Sequence, residues 1–116
     1  MATKNELGKL GEELAARFLH SAGYRILARN WRAAAGEVDL VVQRDDCLVI
    51  CEVKTRRSLS HGHPTEAVNL QRISHLQSAV EQWLAENQTF KTGRVDVVSI
   101  VIGPPMTISH LQSVAA

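Results

Sequence analysis

Two runs rich in Val, Leu and Ile, Glu37 to Gln43 and Cys47 to Lys54, flank the dipeptide Asp45-Asp46. Apolar runs of strand length on either side of a short polar turn predict an antiparallel hairpin. The turn sets the register, because side chains alternate between faces with a period of two. A two-residue loop at Asp45-Asp46, or a symmetric four-residue loop from Arg44 to Cys47, gives the same pairing. Counting back from it places Leu40 opposite Cys51, Asp39 opposite Glu52 and Glu37 opposite Lys54. Glu37, Asp39, Glu52 and Lys54 then share one face. Val38, Leu40, Val42, Val49, Cys51 and Val53 form a continuous apolar surface on the other.

Two carboxylates directly opposed across strands repel and cost stability. A divalent cation between Asp39 and Glu52 reverses the sign of that interaction. Hard oxygen ligands at a shared point suit Mg²⁺ or Mn²⁺. Lys54, one strand step away, is placed to stabilise an anion on the same metal. The plainer alternative is a surface ion pair between Glu37 and Lys54, with Asp39 solvated at a strand end.

The rest of the chain builds a layer on each side of this hairpin. Thr3-x-x-Glu6 is a capping box, followed by Leu7, Leu10, Leu14 and Phe18 at helical spacing and by Gly23 as a stop. This predicts a helix over residues 4–22. Tyr24 to Trp31 reads as a strand, Ala33 to Gly36 as a connection and Thr55 to Pro64 as a loop. Asn69 is the N-cap of a second helix whose buried stripe is Ile73, Leu76, Val80 and Trp83 or Leu84. Arg94 to Ile102 is a strand apolar enough to be central, Gly103-Pro104-Pro105 breaks it, and Met106 to Leu111 is an edge strand. The order α-β-β-β-α-β, with a terminal β, predicts an α/β fold: a mixed sheet flanked by helices, with one crossover. With 116 residues the chain has the length of one domain, spanning residues 1–116.

Charge and cysteine usage narrow the function classes. Thirteen Lys and Arg balance 12 Asp and Glu. This excludes a uniformly basic protein held to phosphates by bulk charge, though not a local basic surface. Seven of those 13 cations lie between Arg25 and Arg57, where five acids accompany them. Cys47 and Cys51 stand four strand residues apart, about 13 Å, too far for a disulfide. Two reduced, buried thiols suit a cytoplasmic protein. The first ten residues have no apolar signal core, and the longest apolar stretches are strand-sized, so no membrane span is expected.

The residues also carry a resemblance. Asp39, followed by Glu52-Val53-Lys54 on the next antiparallel strand, resembles the PD-(D/E)xK signature of restriction-endonuclease-like nucleases, and the element order resembles their αβββαβ core. Seven blocks are similar to the YraN family of uncharacterised bacterial proteins. They are Gly8-x-x-Gly11-Glu12-x-x-Ala15, Gly23-Tyr24, Arg29-Asn30-Trp31, Gly36-Glu37-Val38-Asp39-Leu40, Glu52-Val53-Lys54-Thr55-Arg56, Glu66-Ala67-Val68 and Arg94-Val95-Asp96-Val97-Val98. The sequence departs from these patterns twice. Val38 stands where the signature has proline, and Arg72 stands where the family usually has lysine.

The resemblance implies a Mg²⁺- or Mn²⁺-dependent endonuclease of DNA recombination or repair, similar to the archaeal Holliday-junction resolvases. Its metal ligands would be Asp39, Glu52 and, from the first helix, Glu12, with the Val53 carbonyl as a further ligand and Glu13 a bystander. Lys54 would orient the attacking water or offset charge at phosphorus. Glu37 would tether Lys54 or a metal-bound water. Arg56 and Arg57, directly after the motif, would meet substrate phosphates, as would Arg32 and Arg72. The implied partner is branched or duplex DNA, and junction cleavage needs two sites, so a homodimer is the natural assembly. With few aromatics, binding is expected to be led by phosphates and sensitive to salt. A catalytically silent nucleic-acid-binding or scaffold module that keeps the nuclease fold is the competing expectation.

Four other features carry less. His61-Gly62-His63 lacks further ligands at metal spacing. His75 lies off the apolar stripe of its helix. Cys51 points away from Glu52, which argues against a nucleophile. Asp96 is expected to pair with Arg94.

Overall fold

A computed structural model describes residues 3–58 and 69–115. His61-Gly62-His63, the Glu66-Ala67-Val68 block and most of the expected Thr55–Pro64 loop lie outside the described residues. The chain folds as α1 (Lys4–Ser21), β1 (Arg25–Ala33), β2 (Gly36–Arg44), β3 (Cys47–Arg56), α2 (Leu70–Glu86), β4 (Thr92–Val101) and β5 (Thr107–Leu111). The five strands form one mixed sheet in the order β1-β2-β3-β4-β5. Among the described residues, only β3 and β4 run parallel, with α2 in the crossover between them. The other neighbours are antiparallel.

Each helix covers one face. Val49, Cys51, Val98 and Ile100 pack with Ala15, Ala16 and Leu19 of α1. Leu48, Ile50 and Val95 pack with Leu76, Ala79 and Val80 of α2. Successive residues of β3 therefore serve opposite layers, as the pleat requires. Cys51 is buried on the α1 side, and burial first of all pushes its thiol pKa far up. That removes any nucleophilic role. Both cysteines are free thiols, though Cys47 is only half-buried.

The expected capping box at Thr3 and Glu6 forms, and Asn69 caps α2 through a 2.8 Å bond from Arg72 N to its Oδ1. Gly23 ends α1 at φ +95°, a conformation other residues rarely adopt. The buried face of α1 differs in part from the expected leucine stripe. Leu14 and Phe18 pack against the core as expected, but Leu10 is 45% exposed, and the fully buried positions are Gly11, Ala15, Ala16 and Leu19. The reason is close approach. A Cβ on Gly11 would fall 1.7 Å from Thr55 Oγ1, so the helix crosses β3 where it has no side chain. Thr55 and Arg56 belong to β3 rather than to a loop.

The hairpin register is Leu40 with Cys51, Val41 with Ile50 and Val42 with Val49, as the turn dictates. The ladder then stops. The expected opposition of Glu37 and Lys54 does not occur, because the Asp39 side chain takes over a backbone donor of β3: Val53 N donates to Asp39 Oδ2 at 2.8 Å. Alternation also slips there. Val38 packs with Ala33 and Leu76 in the α2-side cluster, while Leu40 packs on the α1 side.

Candidate functional site

Beyond the point where the β2–β3 ladder ends, three functional side chains approach one carboxylate. Glu52 sits on the α2 side of β3 and is 3% exposed. Arg72, in the first turn of α2, donates from Nε to Glu52 Oε2 at 2.9 Å and from Nη2 to Oε1 at 3.1 Å. It also donates from Nη2 to the Glu37 carbonyl at 2.7 Å, which ties α2 to the start of β2. Lys54 Nζ lies 3.7 Å from Glu52 Oε2. The Asp39 carboxyl hydrogen-bonds Glu52 from the neighbouring strand.

These contacts divide the two acids. Burial raises the pKa of Asp39 to about 7, and the hydrogen bond and charge of Glu52 add to that. Burial also works against the Glu52 carboxylate, but Arg72, the bond from Asp39 and the charge of Lys54 outweigh it and hold its pKa below the ordinary value. At neutral pH the pair carries an ionised Glu52 beside a carboxyl that ionises reluctantly. A proton or a cation between the two relieves that conflict.

Glu12 stands beside this pair. Burial raises its pKa, the charges of Glu37 and Glu52 add to the effect, and a hydrogen bond from Asn30 opposes it. The Asn30 backbone has φ 50°, a left-handed conformation that Asn tolerates better than most residues. Glu12, Asn30 and Glu37, with Lys4 and Lys9, line a cleft of about 320 Å³ between α1 and the β1–β2 edge. Asn30 is the residue missed from sequence. Its signal is an Asn inside an otherwise regular strand.

Among the described residues, no three His, Cys, Asp or Glu side chains converge closely enough to hold a metal. Half-buried Asp39 and buried Glu52 offer hard oxygen donors of the type that suits a divalent cation. Glu12 feels their charge without joining them.

The remaining expected residues are scattered. Glu37 makes a loose pair with Arg32, 3.9 Å between Oε2 and Nη2, and not with Lys54. Arg32 is well exposed on β1. Arg56 ends β3, and Arg57 follows, its carbonyl accepting from Gly103 N at 3.0 Å. Glu13 faces away, paired with Arg17 at 3.0 Å and Arg29 at 2.7 Å. His75 is exposed.

A second polar cluster occupies the turn end of the hairpin. Fully buried Asp96 accepts from Arg94 Nε at 2.9 Å, as expected, from Ser113 N at 3.0 Å, and lies 2.7 Å from His110 Nε2. A cleft of about 470 Å³ opens there beside Tyr24, Arg44 and Cys47. Arg94 spends its other donors on Tyr24 Oη and Cys47 Sγ. The cluster therefore reads as a clamp on β5.

Comparison with known proteins decides the family. The model of an uncharacterised protein family, UPF0102, matches residues 11–100, most of the chain and all of the Glu12–Asp39–Glu52–Lys54–Arg72 neighbourhood. The chain belongs to UPF0102, the YraN family. It is 44% identical to a UPF0102 protein of Arthrobacter sp. (strain FB24), an alignment covering 98% of this chain and 99% of that one. It is 42% identical to a UPF0102 protein of Kineococcus radiotolerans, covering 97% and 95%. A Streptomyces griseus UPF0102 protein is 41% identical, covering 99% and 100%. Among the described residues, no helix of this UPF0102 member is long and apolar enough to cross a membrane.

Proposed function

We propose that this UPF0102 protein is a divalent-metal-dependent nuclease that hydrolyses phosphodiester bonds of DNA on a restriction-endonuclease-like core. One observation carries the reading. Two acids from adjacent strands, half-buried Asp39 and buried Glu52, interact directly, with Lys54 on the Glu52 carboxylate. A purely structural hairpin gains nothing from that arrangement.

Bound there, Mg²⁺ or Mn²⁺ supplies Lewis-acid polarisation of the phosphate and a more acidic water. The chain supplies the rest. Asp39 is oriented by Val53 N on Oδ2, which leaves its other oxygen for the cation. Glu52 is the second ligand. Lys54 keeps a third of its side chain exposed, so its ammonium can meet an incoming phosphate or water. Glu12 adds negative charge from α1. Arg32, Arg56 and Arg57 are the proposed phosphate contacts, which makes binding sensitive to salt. Branched or duplex DNA is the proposed substrate, and a homodimer supplies the two sites that junction cleavage requires.

The test is cleavage of branched and linear DNA with Mn²⁺ by the parent protein, Asp39→Asn and Glu52→Gln. Both substitutions should abolish cutting, and parental activity in either would sink the assignment. A second reading, a nucleic-acid-binding module without catalysis, draws support from Arg72, which satisfies Glu52 without a metal. On that reading the parent binds DNA but shows no divalent-dependent thermal stabilisation.

A further inference from the structure

Arg72 holds a would-be metal ligand, the Glu52 carboxylate. Its Nε and Nη2 take one oxygen each of Glu52, at 2.9 and 3.1 Å. Lys54 Nζ adds a looser ionic contact with Oε2 at 3.7 Å. A carboxylate offers about four lone-pair positions. The Arg72 fork occupies two of them, one on each oxygen.

The guanidinium is also well anchored. Nη2 reaches the Glu37 carbonyl at 2.7 Å, and the Arg72 backbone N is fixed by the Asn69 cap at 2.8 Å. A planar fork matches a carboxylate with two parallel bonds, which a lysine ammonium cannot do. A cation entering between Asp39 and Glu52 must either displace one prong of the fork or sit beside a fixed positive charge. Both routes lower its affinity.

We infer that Arg72 is the resident counter-cation of Glu52 and competes with the divalent metal for that carboxylate. It sets the metal affinity of this protein below that of the same site with lysine. The inference rests on the metal-dependent reading, and its test separates the two.

The experiment is a calorimetric Mn²⁺ titration, in the absence of DNA, of the parent, Arg72→Lys, Arg72→Ala and Arg72→Lys combined with Asp39→Asn. Thermal unfolding checks that each variant is folded, and Arg72→Lys, which keeps the charge and the stem, serves if Arg72→Ala is not. Removing one fixed charge beside the carboxylate that would hold the metal predicts binding by Arg72→Ala on the order of tenfold tighter than the parent. Arg72→Lys should fall between them, and the added Asp39→Asn should abolish the gain. Lysine and alanine variants that bind no more tightly than the parent would overturn the competition and leave the metal reading standing. Absence of Mn²⁺ uptake by all of them, or uptake indifferent to Asp39→Asn, would remove the metal reading and the inference together.

Discussion

Arg72 and Glu52, 20 positions apart and on different elements, form a two-pronged ion pair with bonds of 2.9 and 3.1 Å across the junction of α2 and β3. Glu52 is nearly inaccessible there, so loss of its partner leaves a poorly solvated charge. Arg72→Ala should lower metal-free stability by about 2 kcal/mol, the scale of hydrogen bonds to a charged group. In a double-mutant cycle with Glu52→Gln, measured by urea unfolding, the two losses should be well short of additive.

Asp39 gives the protein a pH signature. Its pKa rises from the ordinary 3.8 to about 7 in the folded state, so between those values the folded chain holds a proton that the unfolded chain has released. Folding stability therefore falls as pH rises across that window and levels off above it. Glu52, held below its ordinary value, acts in the opposite sense and only at lower pH. Melting temperatures from pH 4.5 to 8 should decline in the parent, and Asp39→Asn should flatten the decline.

Gly11 is required by packing. The missing Cβ would collide with Thr55 Oγ1, so Gly11→Ala should cost about 2 kcal/mol despite alanine's better helix propensity. Thr55→Ala should recover part of that loss, because Thr55 Cβ would still be only 2.8 Å away. Denaturant midpoints of the single and double variants check this.

Asp96 holds the last strand. It gathers Arg94, His110 and the Ser113 amide in a fully buried position. Asp96→Asn removes the charge that pairs with Arg94 and should cost at least about 2 kcal/mol. Hydrogen exchange should show β5 amides such as His110 losing protection before those of β3.

Element type was largely readable because it depends on local pattern. Asp45-Asp46 and its flanking runs determine the β2–β3 register, and Thr3 and Asn69 mark helix starts through their own side-chain bonds. The α1 interface was readable only in part. Of the leucine stripe, Leu14 and Phe18 stay at the core edge, while the sheet selects Gly11, Ala15, Ala16 and Leu19 for the buried centre because Gly11 and Ala15 let the backbones approach. Asp39 and Glu52 could be brought together by counting strand positions. Their partners could not: Lys54 binds Glu52 instead of Glu37, and Arg72 arrives from a helix on the far side of a crossover.

By itself, the sequence determines the α/β alternation, the hairpin register and the adjacency of the two acids, all of which follow from short-range periodicity and turn chemistry. Only the tertiary structure decides where the ladder ends, which cation holds Glu52 and how Asn30 turns toward Glu12. Those outcomes depend on how α1 and α2 settle against opposite faces of the sheet, and side chains distant in sequence compete there for the same few donors and acceptors.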